Sequence, residues 1–168
     1  MQIHASFTNN EGEQYIVMLS DEDNIFLSTK TNNFLKHNDI ELLAIYLTRN
    51  GNLTNKTNLK VMAQICEFLG EYLASHINTL FYFICDDLNE VPMNKKKRDN
   101  GISPQKYRSK LFTKMFEKFG PRFCDDIENI PIYIDACGHE MYAHIITRSQ
   151  HLQIVNIIKE DVNDAYHK

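Results

Sequence analysis

Seven consecutive residues, Thr79-Leu80-Phe81-Tyr82-Phe83-Ile84-Cys85, form the longest apolar run in the chain. The run is strand-sized and far short of the ~18 to 20 apolar residues that a membrane helix needs. It is rich in aromatic and β-branched side chains, and it is bounded by Asn78 and by Asp86-Asp87, which defines a central strand of a sheet. The flanking segments have a different period. At 100° per residue, Leu59, Met62, Ile65, Cys66, Leu69, Tyr72 and Leu73 share one side of a helix over Leu59 to His76, while Lys60, Gln64, Glu67, Glu71 and Ser75 share the other. Ser103-Pro104 starts a second helix, with serine at the N-cap and proline at the first helical position. That helix runs to Phe119 and stops at Gly120-Pro121.

The rest of the chain fills in around these elements. Ile3, Ala5 and Phe7 alternate with Gln2, His4, Ser6 and Thr8, the pattern of a half-buried strand. A turn at Asn9-Asn10-Glu11-Gly12 leads to a partner strand over Tyr15 to Leu19. Ile25-Phe26-Leu27 reads as a third short strand. Ile40 to Leu47 fits either a helix capped by Asp39 or a strand, and the shortness of the run favours the strand. Ile132 to Ala136 and Met141 to Thr147 form a further hairpin through Cys137-Gly138-His139-Glu140. A last amphipathic helix covers Leu152 to Tyr166, with Ser149 as its expected cap. Strand pairs mixed with helices predict a single α+β domain over residues 1–168, with a mainly antiparallel sheet packed by about three helices.

Composition narrows the function classes. At 43% hydrophobic and 24% charged residues the chain is too apolar to be disordered. The first residues show no basic region followed by an apolar stretch and a small-residue cleavage site, so a secretory signal is not expected. Four cysteines without a CxxC pair fall short of a disulfide scaffold, so reduced thiols in the cytoplasm are expected. Neither a Gly-x-Gly-x-x-Gly loop nor a Walker-type loop is present, and no cofactor or resident metal is expected.

Two blocks are familiar together. One is the strand ending Cys85-Asp86, followed by a polar loop and Tyr107-Arg108-Ser109-Lys110-Leu111-Phe112 on a helix that ends Met115-Phe116. The other is Tyr142-Ala143-His144-Ile145-Ile146-Thr147-Arg148 leading into the last helix. With the Tyr15 to Leu19 strand and the helix from Leu59, they resemble an uncharacterised bacterial family known only as a domain of unknown function. Its members carry Cys-Asp at that strand end and an Arg-x-Arg-Leu-Phe-x-x-Trp-Phe type helix. Arg108, Lys110, Leu111 and Phe112 match that helix, and Met115 stands where the family has tryptophan. The resemblance implies a fold and no activity.

Charge distribution is the most informative functional signal. Between Asn94 and Arg122 lie ten basic residues (Lys95, Lys96, Lys97, Arg98, Lys106, Arg108, Lys110, Lys114, Lys118 and Arg122) and two acidic ones, a charge of +8. The remainder carries −12, so the net charge of −4 hides a dipolar molecule. Lys106, Lys110, Lys114 and Lys118 follow an i, i+4 path along the helix, parallel to an apolar stripe of Tyr107, Leu111, Met115 and Phe119 with Phe112 and Phe116 beside it. Such a surface suits a phosphate backbone or an acidic protein face. The bland alternative is that the lysines coat a solvated helix face. Arg108 falls within the apolar arc, which requires either an exposed helix end or a buried partner such as Asp86 or Asp87.

Other groupings are weaker. His139-Glu140 and His144 do not make a zinc-protease motif, because five residues separate the histidines. If the Cys85 strand neighboured the Ile132 to Ala136 strand, Cys85, Asp86, Asp135, Cys137 and His139 could gather at one end. Asp86 and Asp87 beside Arg108 have the composition of a metal-dependent phosphoester hydrolase. The leading expectation is a non-catalytic binding module whose basic loop and helix, Lys95 to Arg122, contact nucleic acid or an acidic protein. The hydrolase is the alternative, and self-association of the basic segment with the acidic remainder of a second copy is a third.

Overall fold

The central strand is apolar on both faces and so has to be covered on both, and the computed structural model shows how. It describes residues 2–21, 27–51, 58–85, 100–136 and 138–166. Six strands, β1 (Gln2–Thr8), β2 (Gln14–Ser20), β3 (Glu41–Asn50), β4 (Thr79–Cys85), β5 (Ile127–Ala136) and β6 (His139–Arg148), form one sheet in the order β1-β2-β3-β4-β6-β5. Every neighbouring pair is antiparallel except β3–β4, which is parallel. Four helices are described: α1 (Thr29–His37), α2 (Leu59–Ser75), α3 (Pro104–Phe119) and α4 (Leu152–Tyr166). This is the expected α+β fold with a mainly antiparallel sheet.

Alternate residues of β4 enter separate cores. Leu80 and Tyr82 join Leu42, Ala44, Ile134 and Ile145 in the core that includes Ile154, Val155 and Ile158 of α4 and Leu35 of α1. Phe81 joins Val17, Leu19, Leu43 and Ile146 in the core beneath Val61, Ile65, Leu69 and Leu73 of α2. The sheet is thus sandwiched between helical layers, the arrangement that hides an all-apolar strand. Helix α2 links the parallel pair β3–β4, a crossover that no tight turn could make. Its N-cap is Asn58, whose Oδ1 accepts the Lys60 and Val61 amides.

Several local expectations change. Helix α1 was not apparent because Thr29–His37 buries only Thr31 and Leu35, too few for a periodic signal. It is set by Ser28, whose Oγ accepts the Thr31 amide at 3.2 Å, and by Asp161 of α4, whose carboxylate accepts the Ser28 amide at 2.7 Å. Of the expected strand at Ile25-Phe26-Leu27, Ile25 and Phe26 lie outside the described residues, and Leu27 is a buried bend residue before α1. Strand β5 starts at Ile127 rather than Ile132 and runs through Pro131, which an edge strand tolerates. His139 pairs with Ala136, so His139 and Glu140 belong to β6 and not to the turn. Ser149 does not cap α4. It opens a 3-10 turn, Ser149–His151, and its hydroxyl donates to the Asp126 carbonyl and the Glu128 carboxylate.

Two contacts lock α2 to the neighbouring elements. Arg148, at the end of β6, donates to the Leu73 and Ala74 carbonyls at the C-terminal end of α2, and also to Asp126 at 2.9 Å and to the Cys124 sulfur at 3.1 Å. The guanidinium fork thereby satisfies helix carbonyls that have no intrahelical partner. In the middle of α2, Gly70 lies against the ring of Phe123, where an added Cβ would stand 2.3 Å from Cδ2. Gly70→Ala is therefore expected to destabilise the protein by about 1–3 kcal/mol through overpacking, although alanine is the better helix former. Chemical denaturation checks this. In the double variant Gly70→Ala/Phe123→Ala the two losses should be less than additive.

Candidate functional site: helix α3 and its buried anchor

Helix α3 packs on β6, β4 and β5 and carries both the expected basic row and polar contacts to the sheet. The burial arc of the helix runs along Gln105, Ser109, Phe112 and Phe116 with Met115 beside it. Phe112 and Phe116, expected beside an apolar stripe of Tyr107, Leu111, Met115 and Phe119, thus lie at the centre of the buried side. Two polar residues, Gln105 and Ser109, therefore face the sheet, and each has a partner there.

The partner of Ser109 is His144, which has no exposed surface. Ser109 Oγ lies 2.8 Å from His144 Nε2, and His144 Nδ1 lies 2.9 Å from Asn129 Oδ1. Asn129 Oδ1 can only accept, so the Nδ1–H donates to it and Nε2 accepts the serine hydroxyl. The imidazole stacks on Phe83, with 4.7 Å between centroids and an interplanar angle of 6°, and the edge of Phe112 meets it at 5.2 Å. The order serine, histidine, amide matches a nucleophile, a base and an orienting group. Ser109 is only 6% exposed, however, and the two phenylalanines close over the imidazole. The chain of bonds is an anchor that joins α3, β6 and β5 in the interior.

A second anchor holds the start of α3. Glu140 of β6 accepts hydrogen bonds from Ser103 Oγ at 2.7 Å and Tyr142 Oη at 2.6 Å, and its backbone carbonyl accepts Gln105 Nε2 at 2.8 Å. The Tyr142 and Ser103 hydroxyls hold the Glu140 carboxyl below its ordinary range. Lys106 Nζ stands 3.9 Å from the same carboxylate. The first lysine of the row is therefore already engaged.

The other lysines are not directed inward. Lys110, Lys114 and Lys118 are exposed on the side of α3 away from the sheet. Lys118 and Arg122 both stand over the Phe119 ring, at 5.3 and 5.1 Å from its centroid, a pair of cation–π contacts at the helix end. Exposed Glu117 shares that side within reach of Lys114, and exposed Glu67 and Glu71 line α2, so the basic surface is confined to the outer edge of α3. Lys95, Lys96, Lys97 and Arg98 lie outside the described residues. So do Asp86 and Asp87, the expected partners of Arg108, which is half-buried as its place on the helical wheel requires.

The gathering of Cys85 with Asp135 and His139 does not form. Strand β6 lies between β4 and β5, Cys85 is buried opposite Tyr142, and the exposed Asp135 carboxylate accepts the Gly138 amide. Cys137 lies outside the described residues, among which no cluster of metal-ligating side chains occurs. The cavity between α2 and α3, lined by Gly70, Phe112, Phe116 and Phe123 among others, holds about 40 Å3. That is room for a water and well below a metabolite pocket. No family model, curated protein or solved structure matches the chain. No helix among the described residues is long and apolar enough to cross a membrane.

Burial pushes the His144 imidazole down to about 4 from an ordinary value near 6.5. The unfolded chain therefore binds a proton that the folded chain refuses. Stability is intact above pH ~6.5 and is lost as the pH falls toward ~4, by on the order of 3 kcal/mol. His144→Ala should cost about 2–4 kcal/mol at neutral pH, because the Ser109 hydroxyl and Asn129 amide lose their partner. It should also flatten the dependence of stability on pH in that window. Denaturation curves across the pH range check both outcomes.

Proposed function

We propose that the chain is a binding module that presents the outer edge of α3 to a nucleic acid backbone. One observation carries this reading: Lys110, Lys114 and Lys118 stand exposed in a single row on a helix whose opposite side is pinned by Ser109–His144–Asn129 and by Glu140. Residues four apart on a helix are separated by about 6 Å along its axis, so the row from Lys106 to Lys118 makes a track of about 18 Å. A rigid helix holds these cations in place before the partner arrives, which limits the ordering cost of binding. By sequence, Lys95, Lys96, Lys97 and Arg98 precede this helix and raise the charge of the segment. The acidic remainder of the chain favours contact along one edge and opposes wrapping. No observation among the described residues favours the hydrolase alternative on Asp86, Asp87 and Arg108.

The test is fluorescence anisotropy with labelled single- and double-stranded DNA and RNA at low and high salt. The wild-type protein should bind, with affinity falling steeply as salt rises. The triple variant Lys110→Ala/Lys114→Ala/Lys118→Ala should bind at least about tenfold more weakly at low salt, with a salt slope shallower by about two to three. The three side chains are exposed, and the Phe119 ring keeps its contact with Arg122 when Lys118 is removed, so the variant should stay close to the wild type in stability. An absence of wild-type binding at low salt, or an unchanged triple variant, overturns the proposal. Binding to an acidic protein in place of every oligonucleotide would reassign the partner.

A further inference from the structure

The two edges of the sheet are built differently. Edge strand β5 carries Pro131, which has no amide to offer, and also Glu128 and Asp135, the devices that keep a strand edge from pairing with another chain. Edge strand β1, Gln-Ile-His-Ala-Ser-Phe-Thr, carries no lysine, arginine, acid or proline. It pairs with β2 without a bulge from Gln2↔Ser20 to Thr8↔Gln14, and among the described residues no further strand lies beyond it, so Ile3 to Thr8 present a straight edge. The strand is not short either, about 23 Å long. Its inward row, Ile3, Ala5 and Phe7, is only half-buried, although Ile3 and Phe7 pack on the core and Phe7 meets Phe68 edge-on at 6.2 Å. The core on the α2 side therefore stops short at this edge.

We infer that β1 pairs antiparallel with β1 of a second copy about a two-fold axis at Ala5. Three features of the strand select its own copy as the occupant. First, the sequence is self-complementary about Ala5. Antiparallel pairing there sets Ile3 opposite Phe7 of the partner subunit, a favourable aromatic and β-branched pair made twice, with the small Ala5 on the axis. Second, a two-fold axis brings the side chains that lie on it against their own copies and those around it against near neighbours of the same strand. A chain of net charge −4 meets itself without like-charge contact only along an uncharged edge. Third, the assembly closes: pairing uses up both β1 edges, and the guarded β5 edges at the ends accept nothing further. The result is a twelve-stranded sheet that places the Ile3 and Phe7 rows of the two copies side by side and completes their burial. An interface of one strand pair is small, so the dimer dissociates on dilution. This inference is independent of the lysine row on α3.

Sedimentation velocity over a wide range of concentration at low and high salt tests it. The wild-type protein should shift from monomer to dimer as concentration rises, and salt should weaken the shift little because the β1 side chains that meet carry no charge. His4 and Ser6 are exposed and lie opposite each other across the axis. The double variant His4→Lys/Ser6→Lys should keep its stability while weakening the dimer by at least about tenfold through repulsion of like charges. Mixing it with His4→Glu/Ser6→Glu should restore a dimer that contains one copy of each. A wild-type protein that stays monomeric overturns the inference. So does a dimer that the lysine pair leaves intact, or one that salt dissolves, which would place the contact at the charged surfaces.

Discussion

Burial of β4 on both faces is the constraint from which the rest of the architecture follows. A strand that is apolar or aromatic at every position from Leu80 to Cys85 cannot lie at an edge or face water, so it needs two strand neighbours and two helical layers. The parallel crossover through α2 supplies one neighbour, β3, and part of one layer. The antiparallel return of β6 supplies the other neighbour, while α4 and α1 cover the opposite face. Helix α3 completes the first layer over β4, β6 and β5. Because α3 must lie there, its sheet-facing polar groups have to find partners in the interior. Ser109 and Gln105 do so through His144 and Glu140. The polar chain is thus a consequence of covering the central strand, and it fixes the orientation of α3 and hence the direction in which its lysines point.

The elements with strong local signals were legible from sequence. Strand β4 has its unbroken apolar run, α2 its period of 3.6, and α3 its Ser103-Pro104 start and Gly120-Pro121 stop. Helix α1 was hidden because two core contacts in nine residues leave no period, and its start depends on a carboxylate far along the chain, Asp161. The early part of β5 was masked by Pro131 and Glu128, residues that suit an edge but argue against a strand when read locally. The position of β6 between β4 and β5 is a matter of topology and has no local signature. The anchor at His144 was equally out of reach. It joins residues 35 and 15 positions apart, and its only trace in the sequence is a serine within the buried arc of an amphipathic helix.

The two proposed surfaces lie at opposite ends of the sheet. The order β1-β2-β3-β4-β6-β5 places the unguarded edge at one end and α3 over the other three strands. Pairing through β1 therefore leaves both lysine rows free and sets them at the far ends of an elongated dimer. A partner long enough to reach both would gain from the effective concentration of the second contact, with no new interaction within either copy. Charge segregation suits this division. Cations are concentrated where an anionic partner would dock, and the side chains of β1, where the chain would meet itself, carry none.

Whether the outward, lysine-bearing face of α3 is the docking surface is tested most directly by residue-resolved NMR during titration with an oligonucleotide. The account expects the largest changes at the amides and side chains of Lys110, Lys114 and Lys118, with little change at buried Ser109 and His144, whose geometry is already set. Changes concentrated on β1 or α4, or none at all on α3, would contradict it.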